Sequence, residues 1–340
     1  MKMDNRYDRQ IKLPEVGEVG QEKLKEAKVL VVGVGGLGCP AAQYLTAAGV
    51  GHIGLLDHDK IDLTNLHRQI LFAEEHVGHA KAEVAKAVLK QQNSKVRFTT
   101  YVERLTLENA LEIINEYDIV LDGSDNFQTK YLINDACVLL DKPFVGASIY
   151  KYQGQLSVFN YRNGPTYRCL YPQHHYRDNS NCEDTGVLGV LPGLMGVMQA
   201  TEAIKVILEM GEVLSGKMKL TDVLTFSDRL IRFQRNESQI ELVRARPLQL
   251  EQITCEVEDQ YKIYLDVREP YEEPKVVHPN VLSIPLNQLI SRHGEIPKDQ
   301  LVHVFCQSGI RSKKAIARLH KEYGFTNLVD VEDGIESIIQ

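Results

Sequence analysis

The stretch KVLVVGVGGLG, from Lys28 to Gly38, decides the fold of the first half of the chain. It starts with a nearly continuous apolar run, which is typical of a strand buried on both faces of a parallel sheet. The residues from Pro40 to Ala48 then suit a helix with proline in its first turn. A glycine loop between a strand and a helix lets backbone N–H groups approach phosphate. We therefore expect a phosphate-bearing ligand near Gly33, Gly35 and Gly36.

The same alternation of strand and helix continues to about residue 150. Strands separated by helices of this length predict an α/β fold with a doubly wound, Rossmann-like sheet. The segment from Gln155 to Tyr161 alternates apolar and polar residues, which favours antiparallel strands and makes the predicted sheet mixed. Three further strands and two helices are predicted, at His52–Asp57, Tyr117–Asp122 and Pro143–Ser148, and at Ala80–Gln91 and Tyr131–Leu140.

A second, smaller α/β unit is predicted after a polar stretch. Residues 234–250 lack clear periodicity and include Pro247, so we expect a first domain at 1–235, a linker at 236–250 and a second domain at 251–340. The second domain contains the strand-like segments KIYLDVRE and LVHVFC and predicted helices at Leu286–Ser291 and Ser312–Tyr323.

Composition excludes some classes of protein. With 340 residues, a net charge of −7 and a pI near 5.9, the chain has no global basic field that would favour nucleic acid. The apolar stretch from Gly186 to Thr201 is shorter than the ~20 residues of a membrane span, and the N-terminus has no apolar signal segment. Six cysteines without a C-x-x-C pattern indicate free thiols. We expect a cytoplasmic protein with no membrane partner.

Polar residues after the predicted strands indicate the kind of ligand. Asp57 ends the second strand, where an acid can hold ribose hydroxyls, and this much would also suit a nicotinamide-dependent oxidoreductase. Several cations with asparagine suit a triphosphate, and an aspartate after a strand suits Mg²⁺. The residues that indicate ATP and Mg²⁺ in this way are Asp59, Asn65, Arg68, Gln69, Lys81, Asp125 and Asn126.

With RYDRQ at 6–10, these motifs resemble the ubiquitin-activating-enzyme-like superfamily, above all the sulfur-carrier adenylyltransferases of molybdopterin synthase and thiamine synthesis, over residues 4–235. The resemblance implies ATP as substrate and, as partner, a ubiquitin-like sulfur carrier ending in Gly-Gly. It also implies a homodimer, because the arginine at the position of Arg9 reaches the nucleotide of the other subunit. The roles it implies within the chain are phosphate contact for Gly36 and Lys81, ribose contact for Asp57, nucleotide contact for Thr64, Asn65 and Arg68, and Mg²⁺ binding for Asp125 with Asn126 beside it.

The family's structural zinc is not expected here. Its two C-x-x-C pairs would fall on Thr166 and Cys169 and near Gln239 and Leu242, so one thiolate ligand is left. One cysteine cannot hold a tetrahedral zinc. The adjacent His174 and His175 could in principle add ligands, but a flexible polar loop is the favoured interpretation.

Three further cysteines of the first domain, Cys182, Cys39 and Cys137, are interpreted from their positions. Cys182 lies in a segment that resembles the family's mobile crossover loop, where the matching cysteine can take part covalently. A passive loop cysteine is the equal alternative. Cys39 and Cys137 are predicted core thiols.

The second domain carries CQSGIRS, from Cys306 to Ser312, between a buried strand and a helix. Such a loop directs backbone N–H groups and a helix dipole at the sulfur, and Arg311 adds a positive charge, so it favours a thiolate or persulfide anion. With LDVREPYE at 265–272, the loop resembles a rhodanese sulfurtransferase over residues 250–340. A cysteine phosphatase typically has one more residue in this loop. Asp266 and Arg268 are expected to shape the domain.

The sequence thus predicts an enzyme with catalytic residues Arg9, Arg68, Lys81, Asp125, Cys182, Cys306 and Arg311. It is expected to adenylate the carrier's terminal glycine and then to transfer sulfur from Cys306, with a cysteine desulfurase or thiosulfate as donor. The alternatives are a nicotinamide-dependent oxidoreductase, a non-catalytic carrier-binding scaffold, and a carrier-activating enzyme with a regulatory rhodanese domain. The pathway that the carrier serves (molybdopterin, thiamine or tRNA thiolation) stays open.

Overall fold

The computed structural model describes residues 5–172, 186–246, 248, 254–255, 262–270, 272, 275–276, 278–332 and 334–338. These residues divide into two compact units, one built from the described residues of 5–172 and 186–248 and the other from those of 254–338. Each unit has its own sheet and its own buried apolar core.

The first unit is built on an eight-stranded sheet with the strands β1 (Lys28–Val32), β2 (His52–Leu56), β3 (Arg97–Tyr101), β4 (Ile119–Asp122), β5 (Phe144–Tyr150), β6 (Gln153–Phe159), β7 (Lys217–Asp222) and β8 (Ser227–Arg232). Their spatial order is β3-β2-β1-β4-β5-β6-β7-β8, parallel from β3 to β5 and antiparallel from there to β8. The predicted doubly wound mixed sheet is confirmed. The order reverses between β1 and β4, and the carboxyl ends of strands at such a switch point form a ligand crevice.

Helices cover both faces of this sheet: α1 (Asp8–Ile11), α2 (Gly17–Glu26), α3 (Gly38–Ala48), α4 (Lys81–Gln92), α5 (Ala110–Asn115), α6 (Phe127–Leu139), α7 (Tyr167–Leu170), α8 (Val190–Leu208) and α9 (Glu237–Arg244). Side chains along β1 alternate between two buried clusters. Val29 and Val31 join the cluster with α3, α4 and α8, and Leu30 and Val32 join the cluster with α5 and α6. A strand buried on both faces explains the continuous apolar run from which it was predicted.

The apolar stretch from Gly186 to Thr201 contributes its residues from Val190 onward to helix α8, which continues to Leu208. It is the one helix among the described residues that is long and apolar enough to cross a membrane by length and composition. In the fold it packs on α3, β4, β5 and β6. Its buried Gln199 donates to the carbonyls of Asp122 and Val145 at 2.7 and 3.1 Å, and its buried Glu202 accepts from Leu214 N at 2.9 Å. These polar contacts are those of a core helix.

The stretch predicted as a linker contains structure of the first unit. Residues 237–244 form α9, which packs on α6 and α7. Ile240 and Val243 are buried against Val138. The prediction of a polar linker from 236 was therefore wrong for these residues, because two apolar side chains three positions apart suffice to bury one face of a short helix.

The second unit contains, in chain order, β9 (Thr254–Cys255), β10 (Ile263–Asp266), β11 (Lys275–Val276), β12 (Val281–Ser283), α10 (Leu289–Arg292), β13 (Val302–Phe305), α11 (Ile310–Tyr323) and β14 (Leu328–Asp330). Four of its strands form a parallel sheet in the order β12-β10-β13-β14, and β9 and β11 form a separate short pair. Helix α11 begins directly after the loop that follows β13, as predicted, and is kept against the sheet by buried Ala315 and Leu319.

Candidate active sites

The glycine loop of the first unit makes a tight turn at the carboxyl end of β1. Gly33 has a φ of +86°, and a Cβ there would lie 2.8 Å from the carbonyl oxygen of Gly123. A Cβ on Gly38 would lie 2.0 Å from the carbonyl oxygen of Gly33. The loop therefore needs glycine for its own packing. It leads into α3, whose N-terminal end carries the positive end of the helix dipole and so favours an anion.

Asp57 fixes the shape of this loop. Its buried carboxylate accepts from the backbone N–H groups of Val34 and Asp59, each at 2.8 Å. Burial raises the pKa of Asp57 above its ordinary value, against the opposing charge of Lys81. Each carboxylate oxygen of Asp57 can accept one more hydrogen bond, as a contact with a ribose hydroxyl would require. That contact stays a prediction.

Lys81 is held at the same edge of the sheet by Asp59. Its Nζ lies 2.8 Å from Asp59 Oδ2, and its side chain is 8% exposed. His58 Nε2 lies 2.9 Å from Asp59 Oδ1. The hydrogen bonds from His58 and Lys81 hold the pKa of Asp59 well below its ordinary value. Asp59, predicted as a ligand contact, thus orients the lysine, and contact between Lys81 and phosphate stays a prediction.

Two residues predicted to contact the nucleotide shape the backbone. Asp62 Oδ1 accepts from Thr64 N and Thr64 Oγ1 at 2.8 and 2.6 Å, and Asn65 Oδ1 accepts from Asp62 N at 3.1 Å. This capping box fixes a turn of 3-10 helix at Leu63–Asn65. Its local effect is to present the residues that follow, Arg68 and Gln69, toward the glycine loop.

Arg68 and Gln69 lie beside the glycines. A Cβ on Gly36 would lie 3.5 Å from Arg68 Cγ, and one on Gly35 would lie 3.7 Å from Gln69 Nε2. Gln69 is only 3% exposed, yet its buried Oε1 accepts no hydrogen bond from the part of the chain that the structure describes. An orphaned buried acceptor is costly, so it points to a ligand that donates a hydrogen bond at this position.

Asp125 and Asn126 follow β4, and they differ in exposure and in the hydrogen bonds that they form. Asp125 is exposed, and Asn126 Nδ2 donates to its Oδ1 at 3.4 Å. Asn126 caps α6, because its Oδ1 accepts from Thr129 N at 2.9 Å. The exposed carboxylate of Asp125 fits Mg²⁺, which prefers oxygen ligands and retains waters.

A buried ion pair supports this turn, and sequence reasoning missed it. Lys130 Nζ donates to Asp122 Oδ2 at 2.9 Å and to the carbonyls of Ser124 and Ala147 at 3.1 and 2.9 Å. The two charged side chains are 7% and 2% exposed. The sequence signal that could have revealed this pair is a lysine within a helix of mostly uncharged residues, close in sequence to an aspartate that ends a strand.

Arg9 lies at the other end of the first unit from the glycine loop. Its segment is anchored by Tyr7 OH, which accepts from Asn93 Nδ2 at 2.8 Å, and by Gln10 Nε2, which donates to Ala48 O at 3.0 Å. Ala48 ends α3, about 15 Å along the helix axis from Gly38. Arg9 itself is exposed. The structure therefore does not bring it together with Lys81 or Arg68 of its own chain.

The position of the family's zinc is filled by protein contacts. Cys169 Sγ accepts from Thr166 N at 3.3 Å and from Asn236 N at 3.2 Å, and it packs against the cluster of Val138 and Ile240. Among the residues that the structure describes, Cys169 is the one thiol at this position and cannot hold a tetrahedral zinc by itself, so the expected lack of zinc stays a prediction. His174, His175 and Cys182 lie outside the described residues.

In the second unit, Cys306 directly follows β13 and is buried. Its Sγ lies 3.7 Å from Ser312 Oγ, which donates to Gly309 O at 3.0 Å. Gly309, with a φ of +80°, turns the chain into α11, so the sulfur lies next to the N-terminal end of that helix and the positive end of its dipole. This arrangement can stabilise a sulfur anion.

Both arginines near this loop are paired with carboxylates. Arg311 NH1 and NH2 donate to the two oxygens of Glu272, each at 2.6 Å. Burial of Glu272 opposes its ionisation, but the hydrogen bonds and charge of Arg311 outweigh it and hold the pKa of Glu272 below its ordinary value. Arg268 forms a bidentate pair with Asp266 and donates to Gln307 Oε1 at 3.2 Å. Glu272 was not predicted as a site residue.

The two loops define the class of the protein: a Rossmann-like nucleotide-binding unit joined to a cysteine-loop unit. Comparison with known families agrees, since the ThiF family model matches residues 7–242 and the rhodanese-like domain model matches residues 251–340. The chain belongs to the ThiF family and carries a rhodanese-like domain, as the resemblance predicted.

Similar proteins carry both activities in their names. The chain is 38% identical over 371 residues, covering 98% of it and 82% of the relative, to the adenylyltransferase and sulfurtransferase MOCS3-2 of Drosophila pseudoobscura pseudoobscura. It is 53% identical over 218 residues, covering 64% of it and 50% of the relative, to the adenylyltransferase and sulfurtransferase MOCS3 of Culex quinquefasciatus. Among solved structures, E. coli MccB with ATP is similar with a TM-score of 0.61 and 26% identity, covering 68% of this chain and 73% of that one. The prediction of an adenylyltransferase with sulfurtransferase activity is confirmed, and the oxidoreductase alternative finds no support.

Proposed function

We propose that this enzyme uses ATP to adenylate the C-terminal glycine of a ubiquitin-like sulfur-carrier protein and then makes the thiocarboxylate with sulfur carried on Cys306. The observation that carries the proposal is the pairing, in one chain, of a glycine loop flanked by Lys81 and the unpaired Gln69 Oε1 with a cysteine loop built for a sulfur anion. A dehydrogenase site has no use for the second loop.

In the first step, a carboxylate oxygen of the carrier attacks the α-phosphorus of ATP, and pyrophosphate leaves. Little proton transfer is needed, so positioning and charge neutralisation carry the step. Arg68 and Lys81 supply positive charge beside the glycine loop, and a phosphate oxygen would take the place of Asp59 on Lys81. Asp125 is the residue that would hold Mg²⁺, which would neutralise phosphate charge there.

An apolar edge of the first unit supports a protein substrate. The hairpin of β7 and β8 exposes Leu224 by 63%, Phe226 by 89% and Leu230 by 58%. Contiguous exposed apolar side chains of this size mark interaction surfaces in many proteins. We assign this hairpin to the carrier, whose flexible terminus would extend toward the glycine loop.

In the second step, the terminal sulfur of a Cys306 persulfide attacks the acyl carbon, and AMP leaves. The product is an acyl disulfide between Cys306 and the carrier. A second thiol, which we assign to Cys182, attacks the Cys306 sulfur. It forms a disulfide with Cys306 and releases the thiocarboxylate with the electron pair of the broken bond. An external reductant then restores both thiols.

The decisive experiment is ATP–pyrophosphate exchange. The purified protein should catalyse exchange only when a carrier ending in Gly-Gly is added. Asp125→Ala should reduce the rate by about 100-fold or more, because it removes the carboxylate that would hold Mg²⁺ beside the phosphates. Asp299→Ala, at an exposed aspartate of the second unit, is the matched control and should match wild type. Undiminished exchange in Asp125→Ala would contradict the site assignment.

We also propose a homodimer in which Arg9 serves the nucleotide site of the other subunit. The support is that Gln10, next to Arg9, is hydrogen-bonded to the last residue of α3, about 15 Å from the start of that helix in its own chain and beyond the reach of an arginine side chain. Arg9→Ala and Asp125→Ala subunits, each inactive alone, should regain partial exchange activity when mixed, because a hybrid dimer has one site with both residues intact. No recovery after confirmed subunit exchange would refute the shared site.

A further inference from the structure

The cysteine loop of the second unit has less positive charge than its sequence suggests. Arg311 has both terminal nitrogens on Glu272, and Arg268 has a bidentate contact with Asp266. Two cations are therefore matched by two carboxylates within the same group of side chains. What remains to attract an anion is mainly the backbone N–H groups of the loop and the N-terminal end of α11.

The carboxylate of Glu272 is fixed in the position where it binds Arg311. Its side chain is 14% exposed, and Oε1 also accepts from Glu269 N at 2.7 Å, which fixes the carboxylate in place. A bidentate, charge-assisted pair in this partly buried setting is among the stronger polar contacts in proteins. A ligand that needs Arg311 must compete with it.

Sulfur donors differ in the charge they bring to the loop. Thiosulfate is a dianion and needs a cation beside the attacked sulfur. A persulfide brings at most one negative charge at its sulfur pair, and backbone N–H groups can hold that charge. Neutralising Arg311 therefore penalises thiosulfate more than a persulfide.

We propose that Glu272 is a specificity-determining residue which, by holding Arg311, makes the Cys306 loop favour persulfide donors over dianionic ones. The inference rests on the proposed sulfurtransferase role of Cys306. With either donor the Cys306 thiolate attacks the outer sulfur and the S–S bond breaks. The leaving group, a thiolate from a persulfide or sulfite from thiosulfate, takes the electron pair. No external oxidant or reductant is needed for this loading step.

The test is a gain of activity. Glu272→Gln keeps the shape of the side chain but frees the charge of Arg311. It should lower the KM for thiosulfate in the thiosulfate–cyanide assay by about 10-fold, with kcat changed by less than about 3-fold. Glu269→Gln removes the same charge from a neighbouring position that does not bind Arg311, and its KM should match wild type. Adding Arg311→Met to Glu272→Gln should abolish the gain.

Loading of Cys306 from cysteine persulfide, read by mass spectrometry after single turnover, separates the two proposals. It should be the same within about 2-fold in wild type and Glu272→Gln. An unchanged thiosulfate KM in Glu272→Gln, or an equal gain in Glu269→Gln, would overturn the role of Glu272 while persulfide loading still supports Cys306. If neither donor loads Cys306 in any variant, the proposed sulfurtransferase role itself fails.

Discussion

Replacing Lys130 with methionine removes one half of the buried ion pair beneath the Asp125 turn. Three hydrogen bonds, to Asp122, Ser124 and Ala147, are lost together. Since the Asp122 side chain is 2% exposed, its charge stays buried without a counter-ion, and only the hydrogen bonds from Ser124 N and Oγ to its Oδ1, at 3.0 and 2.5 Å, remain. Breaking such a pair by removing one member typically costs about 3–5 kcal/mol. That is a large part of the ~5–15 kcal/mol by which domains are stable.

A two-unit chain need not unfold in one transition, so hydrogen exchange of peptides from β4 and β5, read by mass spectrometry, is the suitable assay. A loss of ~3 kcal/mol or more should speed their slowest amides by about 100-fold or more. Asp122→Asn with Lys130→Met, which removes both charges, should recover much of this loss. Lys86→Met, at a 44% exposed helix lysine, should change stability by less than about 0.5 kcal/mol. If hydrogen exchange of these peptides is no faster in Lys130→Met alone than in Lys86→Met, the reasoning is refuted.

Three further predictions concern cysteines, metal and pH. Burial raises the pKa of Cys39 to about 12 and that of Cys137 well above its ordinary value, so iodoacetamide at pH 8 should label neither thiol in the folded protein by mass spectrometry. Elemental analysis should find well under one zinc per chain, since Cys169 is bound by backbone N–H groups; one zinc that survives dialysis would contradict this. Because the folded-state pKa of Glu272 lies below its ordinary 4.5, its contribution to stability is complete above that pH and is lost as pH falls through the folded-state value. Glu272→Gln should therefore flatten the fall in calorimetric Tm of the second unit on acidification below pH 4.5, and an unchanged slope would contradict the assignment.

The fold could be predicted where the local pattern had one explanation. The apolar run at β1 and the glycine loop after it are such cases, because few structures other than a buried strand and a phosphate loop use them. The strand β3 was missed because its five residues, from Arg97 to Tyr101, are polar or only partly buried at the edge of the parallel part of the sheet. Helix α9 was missed because one buried face of two residues leaves little periodicity.

The sites could be predicted as lists of residues but not as networks. Sequence motifs identify Lys81 and Arg311, but not that Asp59 and Glu272 hold them, because these partners come from other elements and meet only in the fold. Asn126 shows the converse case. It stands in a motif with Asp125, and its position at the start of α6 gives it a capping role that the motif alone does not reveal.

The exposed strand β8 also affects how this protein behaves at high concentration. It is the last strand in its sheet, and its residues from Ser227 to Arg232 are all exposed. An open edge of this kind can pair with another copy of itself and begin aggregation. Here Asp228 is paired with Lys219 of β7, and Arg229 and Arg232 lie on the strand with the apolar Leu230 and Ile231, so the like charges of the two arginines oppose stacking of identical edges. This positive charge opposes self-association at an edge that we assign to the carrier. Salt screens the charge, so high salt should weaken this protection against self-association.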